Sequence, residues 1–126
     1  MSHFTQVATK LSNKEILLCA LKELGLATEE KANIKGFRGQ ETYADIAVRM
    51  KTGYDVGFVL NNDGTYSFIA DWFGVEGYTQ TEFVNSVRRQ YALATVKEQV
   101  ARQGFNLVTE QKNADGSIKV VVRRWV

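Results

Sequence analysis

Apolar residues recur at every second position through the middle of this chain, and this period of two most constrains its fold. Ala44, Ile46, Val48 and Met50 recur at this spacing with Asp45 and Arg49 between them, which predicts a half-buried β-strand with these four on one face. We assign this period from Thr28 to Asp71, and it is clearest in residues 43 to 50, 54 to 60 and 66 to 72, so that a first strand precedes the turn of residues 36 to 39. Short turns rich in Gly and Asn separate the stretches, so we predict an antiparallel meander.

Two capping-box sequences predict where two helices begin. Ser12-Asn13-Lys14-Glu15 and Thr79-Gln80-Thr81-Glu82 each place a hydroxyl residue three positions before a glutamate. Each side chain of such a pair can bond to the other residue's backbone amide. Apolar residues at helical spacing follow both boxes, and Gly25 and Gly104 are suited to the left-handed conformation that commonly ends a helix. We predict one helix over residues 13 to 24 and a longer one from the second box to Gly104.

The order of these elements predicts an α+β fold in a single domain of residues 1 to 126. A short strand precedes the first helix, a four-strand meander separates the helices, and a hairpin around Asn113-Ala114-Asp115-Gly116 closes the chain. We expect a single antiparallel sheet of about seven strands, in the order β-α-β-β-β-β-α-β-β, with both helices on one face. Eight apolar residues are predicted to share the core: Leu17, Leu21, Ile46, Val48, Phe58, Phe68, Val87 and Val120.

The composition is that of a globular protein, because 44% of the residues are hydrophobic and 24% are charged. No run of about 18 apolar residues occurs, and the opening residues lack the pattern of a signal peptide, so we expect neither membrane insertion nor secretion. Cys19 has no second cysteine to pair with. Its position in the apolar run of residues 16 to 21 predicts a buried thiol in a reducing compartment.

Few residues are suited to catalysis, to a cofactor or to a metal ion. His3 is the single histidine and lies beside the chain end, a poor position for serving a nucleophile. One His and one Cys fall short of the four ligands of a structural zinc or iron-sulfur site, and no glycine motif predicts nucleotide binding. Asp45, Asp55 and Asp71 are predicted in strands, where acids usually face solvent, although a magnesium or calcium site remains an alternative. We therefore expect no cofactor and favour a function without catalysis.

An aromatic segment that follows the meander is the strongest candidate for binding a partner. Asp71-Trp72-Phe73-Gly74-Val75 is followed by Glu76-Gly77-Tyr78, which places three aromatic residues among glycines. Such residues are enriched among the anchors of protein interfaces. Trp72 also continues the strand phase of Phe68, which favours burial. Phe73 and Tyr78 are therefore the preferred interface residues, ahead of Trp72.

Positive charge is concentrated toward the C-terminus, although the net charge is only +2. Residues 80 to 126 carry eight Lys or Arg against four Asp or Glu, whereas residues 1 to 79 carry eight against ten. A basic face there would steer an acidic protein partner or, alternatively, contact the phosphates of a nucleic acid. Its candidates lie on the second helix and the last strand: Arg88, Arg89, Lys119, Arg123 and Arg124.

Short motifs spread along the whole chain carry a resemblance to a known family. They are Met1-Ser2-His3-Phe4, Ala44-Asp45-Ile46, Tyr54-Asp55-Val56-Gly57-Phe58, Ala70-Asp71, Tyr91-Ala92, Gln103-Gly104-Phe105, Asp115-Gly116-Ser117-Ile118 and Arg124-Trp125. In this order they resemble the hypothetical reading-frame family encoded in red-algal plastid and cyanobacterial genomes. Leu93 departs from that family, which is expected to have an aromatic residue there. The family has no known function, so the resemblance implies a setting, the cyanobacterial cytosol or the plastid stroma or a phage of such a host, and no reaction.

Two functions follow as expectations. The first is a non-enzymatic accessory or adaptor protein of a photosynthetic cell, located in the cytoplasm or the plastid stroma, that binds a protein partner through the aromatic segment and the basic face. The alternative is a nucleic-acid-binding module that uses the same basic face. An enzyme that uses carboxylates ranks last, and the oligomeric state is left open.

Overall fold

Seven strands and two α-helices follow one another in the predicted order over residues 4 to 72 and 74 to 124, which the computed structural model describes. Side chains are described for these residues except 105 to 109, 122 and 124. The elements are β1 (Thr5–Ala8), α1 (Lys14–Glu23), β2 (Ala27–Lys35), β3 (Glu41–Arg49), β4 (Val56–Leu60), β5 (Tyr66–Ala70), α2 (Gln80–Arg102), β6 (Phe105–Lys112) and β7 (Ile118–Arg124). The α+β class and the element order are confirmed.

The strands form two sheets, where the sequence predicted one. β1 to β5 make an antiparallel sheet in the order β1-β5-β4-β3-β2, which contains the predicted meander. β6 and β7 form a separate two-stranded ribbon. The length of α2 explains the separation, because its 23 residues span roughly 35 Å. Only its first half, with Phe83, Val84 and Val87, supplies buried residues to the core of the large sheet, and the ribbon packs on the helix.

The two helices begin with different caps. α2 has the predicted capping box, in which Thr79 Oγ1 accepts from the Glu82 amide and Glu82 Oε1 accepts from the Thr79 amide. The box predicted at Ser12 is wrong by one residue. Asn13 is the N-cap of α1, and its Oδ1 accepts from the Ile16 amide at 3.1 Å. Asparagine caps as well as serine does, so the residue nearer the first helical turn takes this role.

The same five-residue turn closes two hairpins. It runs over residues 61 to 65 between β4 and β5 and over residues 113 to 117 between β6 and β7. In each turn the aspartate accepts from the backbone amide and the hydroxyl two residues later, Thr65 for Asp63 and Ser117 for Asp115. Both bonds lower the pKa of the aspartate carboxyl below its usual value, and the bond from the hydroxyl has the larger effect. The shared geometry explains why two distant segments have similar sequences.

One face of the large sheet and both helices enclose the main core, as predicted. Seven of the eight predicted core residues are fully buried: Leu17, Leu21, Ile46, Val48, Phe58, Phe68 and Val87. The prediction for Val120 is wrong, because it lies half-buried on the ribbon beside α2. The prediction for Cys19 is also wrong. Its thiol is exposed because α1 turns Leu17, Ala20 and Leu21 toward the core instead.

A second apolar cluster covers the opposite face of the large sheet. Ile34, Ala44, Ala47 and Ile69 are its buried members, so the prediction that Ala44 shares a face with Ile46 and Val48 in the main core is wrong. Gly57 permits the close packing here, because an added Cβ would lie 2.7 Å from the Ala44 Cβ and 3.2 Å from Ile34 Cδ1. The side chains of Ala44 and Ile34 therefore lie on the same face of the sheet as the missing side chain of Gly57.

Candidate functional site

The aromatic segment packs on the start of α2. Trp72 and Tyr78 are both half-buried, and each ring contacts Phe83, with ring centroids 5.9 Å apart for Trp72 and 5.2 Å apart for Tyr78. Phe73, the first of the preferred interface residues, lies outside the described residues. Trp72 Nε1 is buried and has no hydrogen-bond partner within the described parts of the chain. The two described aromatic side chains therefore serve mainly to pack on Phe83.

A cleft of about 300 Å³ lies beside Tyr78, and we call it the loop cleft. Its walls come from the α1–β2 turn, from the end of β3 with the following loop, and from the aromatic segment. They include Leu24, Leu26, Met50, Lys51, Glu76 and Tyr78. Arg49 also borders this cleft, but its guanidinium donates to Glu29 at 2.8 Å and to Asp55 at 2.9 Å. The walls of the loop cleft are therefore partly apolar and partly charged. Glu76 and Lys51 supply one anion and one cation that take no part in the ion pairs of Arg49.

The four cations of the predicted basic face whose side chains are described, Arg88, Arg89, Lys119 and Arg123, lie on different sides of α2 and β7. Arg88 and Arg89 are both exposed, but consecutive residues of a helix project about 100° apart. Arg89 lies at the ribbon turn, where its Nη1 is 2.8 Å from the Cβ that a substituted Gly116 would have, and it contributes to the low pKa of Asp115. Lys119 and Arg123 lie on the outer face of β7, away from α2.

Three of these cations have no ion-pair partner within the described residues. The described acids of α2 and the ribbon are engaged elsewhere, since Glu110 pairs with Lys97 and Glu98 pairs with Arg102. This leaves Arg88, Lys119 and Arg123 unpaired there, while Arg124 ends β7 with a side chain outside the described set. The positive charge of this end of the protein is therefore spread over the outer face of the ribbon and one side of α2.

An apolar cleft that the sequence did not predict separates α2 from β7, and we call it the helix–ribbon cleft. Its volume is about 240 Å³, and its lining residues are Arg89, Ala92, Leu93, Val96, Ile118 and Val120. Leu93 is only 7% exposed at its floor, whereas Val96 is 41% exposed at its rim. The aromatic residue expected at position 93 from the family resemblance would stand at this floor. The sequence did contain a signal of a second apolar surface on α2, because Leu93 and Val96 lie off the helical phase of Phe83 and Val87.

The ribbon leaves one edge of β7 open beside this cleft. β7 pairs with β6 along its length, from Ile118 opposite Lys112 to Arg124 opposite Phe105. Within the described ranges no strand pairs with its other edge. Because residues alternate along a strand, Ile118 and Val120 face α2 while Lys119, Val121 and Arg123 face outward. Val121 is 41% exposed on that outer face.

The three acids weighed as a metal site serve separate structural roles. Asp45 lies in β3 as predicted, but the strand prediction is wrong for Asp55, which precedes β4, and for Asp71, which follows β5. Asp45 Oδ2 accepts from the Leu60 amide at 2.7 Å, Asp55 pairs with Arg49, and Asp71 Oδ2 accepts from the Phe37 amide at 3.3 Å. Asp71 is only 1% exposed and does not face solvent as expected. No group of three or more His, Cys, Asp or Glu residues that could hold a metal occurs in the described parts of the chain.

Neither α1 nor α2, the helices of the described residues, combines the length and apolar character that crossing a bilayer requires.

Comparison with known proteins finds relatives over nearly the full length. Residues 20 to 121 match the family described as "Protein of unknown function (DUF1257)". The uncharacterised protein ycf35 of Cyanophora paradoxa is 37% identical over 127 residues, which cover 99% of this chain and 98% of that protein. The ycf35 proteins of Guillardia theta and Pyropia yezoensis are 32% and 30% identical, with the same two coverages. No solved structure matches this chain.

Proposed function

The chain belongs to the DUF1257 family, an uncharacterised family with members encoded in plastid genomes, and from this premise we propose that it is a non-enzymatic adaptor that binds a protein partner through the helix–ribbon cleft. Its proposed setting is a photosynthetic cell, in the cytoplasm or the plastid stroma. One observation carries the proposal. Val96 and the apolar walls beside it form an open cleft that the described residues leave unfilled.

The chemistry of this cleft suits a polypeptide partner. Leu93, Val96 and Val120 offer apolar surface whose removal from water contributes roughly 25 cal/mol for each Å² buried. Arg89 stands at one end and can orient a partner carboxylate by paired hydrogen bonds. An apolar centre with a charged rim is the usual anatomy of a protein interface.

The cations around the cleft have a supporting part in this proposal. Arg88, Arg123 and Arg124 are proposed to join Arg89 in raising the rate of encounter with an acidic partner, because surface charges act over about a Debye length. The different directions of Arg88, Arg89 and Arg123 favour such steering over the continuous phosphate-tracking groove of a nucleic-acid binder. Nucleic-acid binding is the outcome that the experiment below is designed to detect.

The aromatic segment is proposed as a second, smaller contact. Tyr78 borders the loop cleft, and Trp72 Nε1–H is a buried donor without an acceptor in the described chain. A partner acceptor that reached this donor would relieve the cost of an unsatisfied buried polar group. Phe73 keeps its place as a proposed anchor in the same segment.

The test compares two exposed apolar residues at different places on the protein. Val96 in the helix–ribbon cleft is 41% exposed, and Leu60 at the end of β4 is 48% exposed. A tagged copy carrying Val96→Glu should lose at least about tenfold of the partner retained by the unaltered chain in extracts of the source organism. Leu60→Glu should retain it. Both variants must first show unchanged unfolding midpoints, because an unfolded chain would imitate lost binding.

Nuclease and salt treatments separate the two classes of partner. A protein partner held by the apolar cleft should survive nuclease and lose little affinity between about 50 and 200 mM salt, whereas a nucleic acid that contacts several phosphates should lose orders of magnitude. Loss of every retained species on nuclease treatment would contradict the adaptor proposal. Equal retention by the Val96 and Leu60 variants would contradict the cleft.

A further inference from the structure

We infer that the helix–ribbon cleft receives an extended partner segment that adds as a third strand to the open edge of β7 and alternates apolar with acidic side chains. This inference rests on the proposed function and names the partner's chemistry and mode of binding. Its basis is a juxtaposition along β7 (Ile118–Arg124) of three features that the described residues leave without a partner: one strand edge, an apolar cleft, and the two cations Lys119 and Arg123.

The backbone of β7 provides the first part of the argument. A strand paired on one side presents a row of amide and carbonyl groups on the other, and an added strand satisfies them at about 4.8 Å spacing. β7 is such a strand within the described residues, because β6 is its partner on one side and the ribbon is separate from the large sheet. Extended segments are commonly bound in this way, with the backbone giving affinity and alternate side chains giving specificity.

The cleft determines which type of side chain suits the inner face of the added strand. A strand beside β7 continues the ribbon over α2, so alternate residues point toward Ala92 and Val96. These helix residues form apolar surface that the described side chains of the ribbon leave partly uncovered, and Val96 is 41% exposed. The inner positions of the partner segment should therefore be apolar.

The outer face of β7 fixes the other side chains. Lys119 and Arg123 flank the exposed Val121, and neither cation has an ion-pair partner among the described residues. Neighbouring side chains on one face of paired strands lie about 5 Å apart, close enough for opposite charges to attract. The outer positions of the partner segment should therefore be acidic.

The same charges argue against a second copy of this chain as the occupant. An antiparallel pairing of two β7 strands centred on Val121 would place Lys119 of each copy opposite Arg123 of the other. A parallel, in-register pairing would place each cation opposite its own counterpart. Like charges directly opposite destabilise paired strands, and lysine on an open edge commonly prevents self-association. Charge thus selects an acidic segment over a second copy.

Three short peptides test the inference on the full chain. Each has seven residues, the length of β7, blocked ends and a fluorescent label. The first alternates valine with glutamate, the second alternates valine with lysine, and the third is the first with alternate backbone amides methylated on the edge that would face β7. Fluorescence anisotropy gives their affinities, and NMR-detected hydrogen exchange reports which amides of β7 become protected.

The inference predicts that the valine–glutamate peptide binds at least about tenfold more tightly than either of the others. It should also protect amides at alternate positions of β7, because only every second amide of a strand points toward a given edge. The double variant Lys119→Glu, Arg123→Glu should reverse the preference in favour of the valine–lysine peptide. These side chains are exposed, so the reversal is expected without loss of the fold.

Other outcomes overturn the inference without touching the proposed function. Equal binding of the methylated and unmethylated peptides would mean that side chains dock without strand pairing. No binding of any peptide, together with partner capture that still depends on Val96, would mean that the cleft takes a different occupant. Concentration-dependent dimerisation of the chain through β7 would show that a second copy is the occupant.

Discussion

Replacing Phe83 by alanine tests the packing that joins the helices to the sheet. The Phe83 ring is fully buried at the start of α2. Its centroid lies 5.5 Å from that of Phe68 in an edge-on arrangement, and Trp72 and Tyr78 contact it from the aromatic segment. Because this one ring joins β5, α2 and the segment before α2, its loss should weaken all three together.

The expected magnitude follows from these contacts. Truncating a buried phenylalanine to alanine typically costs about 3 to 5 kcal/mol. Aromatic pairs contribute about 0.5 to 1.5 kcal/mol each beyond the area they bury, so three partners place Phe83→Ala near the upper end of that range. A domain of this size has about 5 to 15 kcal/mol of total stability. The substitution should therefore remove a large share of it.

Urea unfolding followed by circular dichroism measures the loss. The midpoint should fall while the slope stays constant, since the slope reports the surface exposed on unfolding. Phe83→Leu keeps most of the volume but loses the three aromatic pairs, so it should lower the midpoint by less than Phe83→Ala does. Leu60→Ala, at a 48% exposed position, should stay within about 0.5 kcal/mol. A loss below about 1 kcal/mol for Phe83→Ala would refute the placement of Phe83 in the core.

Three further predictions concern single positions. Gly57→Ala should cost about 1 to 3 kcal/mol by overpacking, because its Cβ would lie 2.7 Å from the nearest side-chain carbon, and an unchanged midpoint in urea would contradict this close packing. Asn13→Ala should cost about 0.5 to 2 kcal/mol while Ser12→Ala should be neutral, and the reverse result would move the N-cap of α1. The pKa of Asp63 is lowered in the folded state. Its contribution to the free energy of unfolding is therefore present above the unfolded pKa of about 3.9 and is lost as pH falls through the folded pKa. An NMR titration of the Asp63 carboxyl should give a low pKa, and the Thr65→Val variant should raise that pKa. An ordinary pKa for Asp63, or a pKa that Thr65→Val does not raise, would contradict the turn geometry.

Local signals in the sequence predicted most of the secondary structure. The Thr79 capping box and the Asn113 turn depend on residues within a few positions of each other, and both formed as expected. The pairing of strands into sheets is a property of the whole chain. Alternation predicted β6 and β7, but it contains no information on whether they join the large sheet. Ala44 shows the same limit, because a strict period of two cannot anticipate the break in alternation between Ala44 and Ile46, which places Ala44 in one cluster with Ala47.

The helix–ribbon cleft was missed because it depends on what covers α2. Leu93 and Val96 are apolar in the sequence, but their solvent exposure depends on the position of the ribbon. Leu93 is buried, whereas Val96 is partly exposed. The basic face was predicted from composition, and composition does not tell in which direction each side chain points. Arg88 and Arg89 are neighbours in sequence and project from different sides of one helix.

Site-specific photocrosslinking tests the central claim, that a protein partner occupies the helix–ribbon cleft, most directly. A photoreactive amino acid is placed at position 96, 60 or 78 in the full chain, and each copy is irradiated in cells of the source organism. We predict one discrete protein adduct from position 96 and none from position 60, because Val96 lines the cleft and Leu60 lies at the end of β4. An adduct from position 78 alone would transfer the site to the loop cleft. Absence of a position-specific protein adduct, with the fold intact, would contradict the claim.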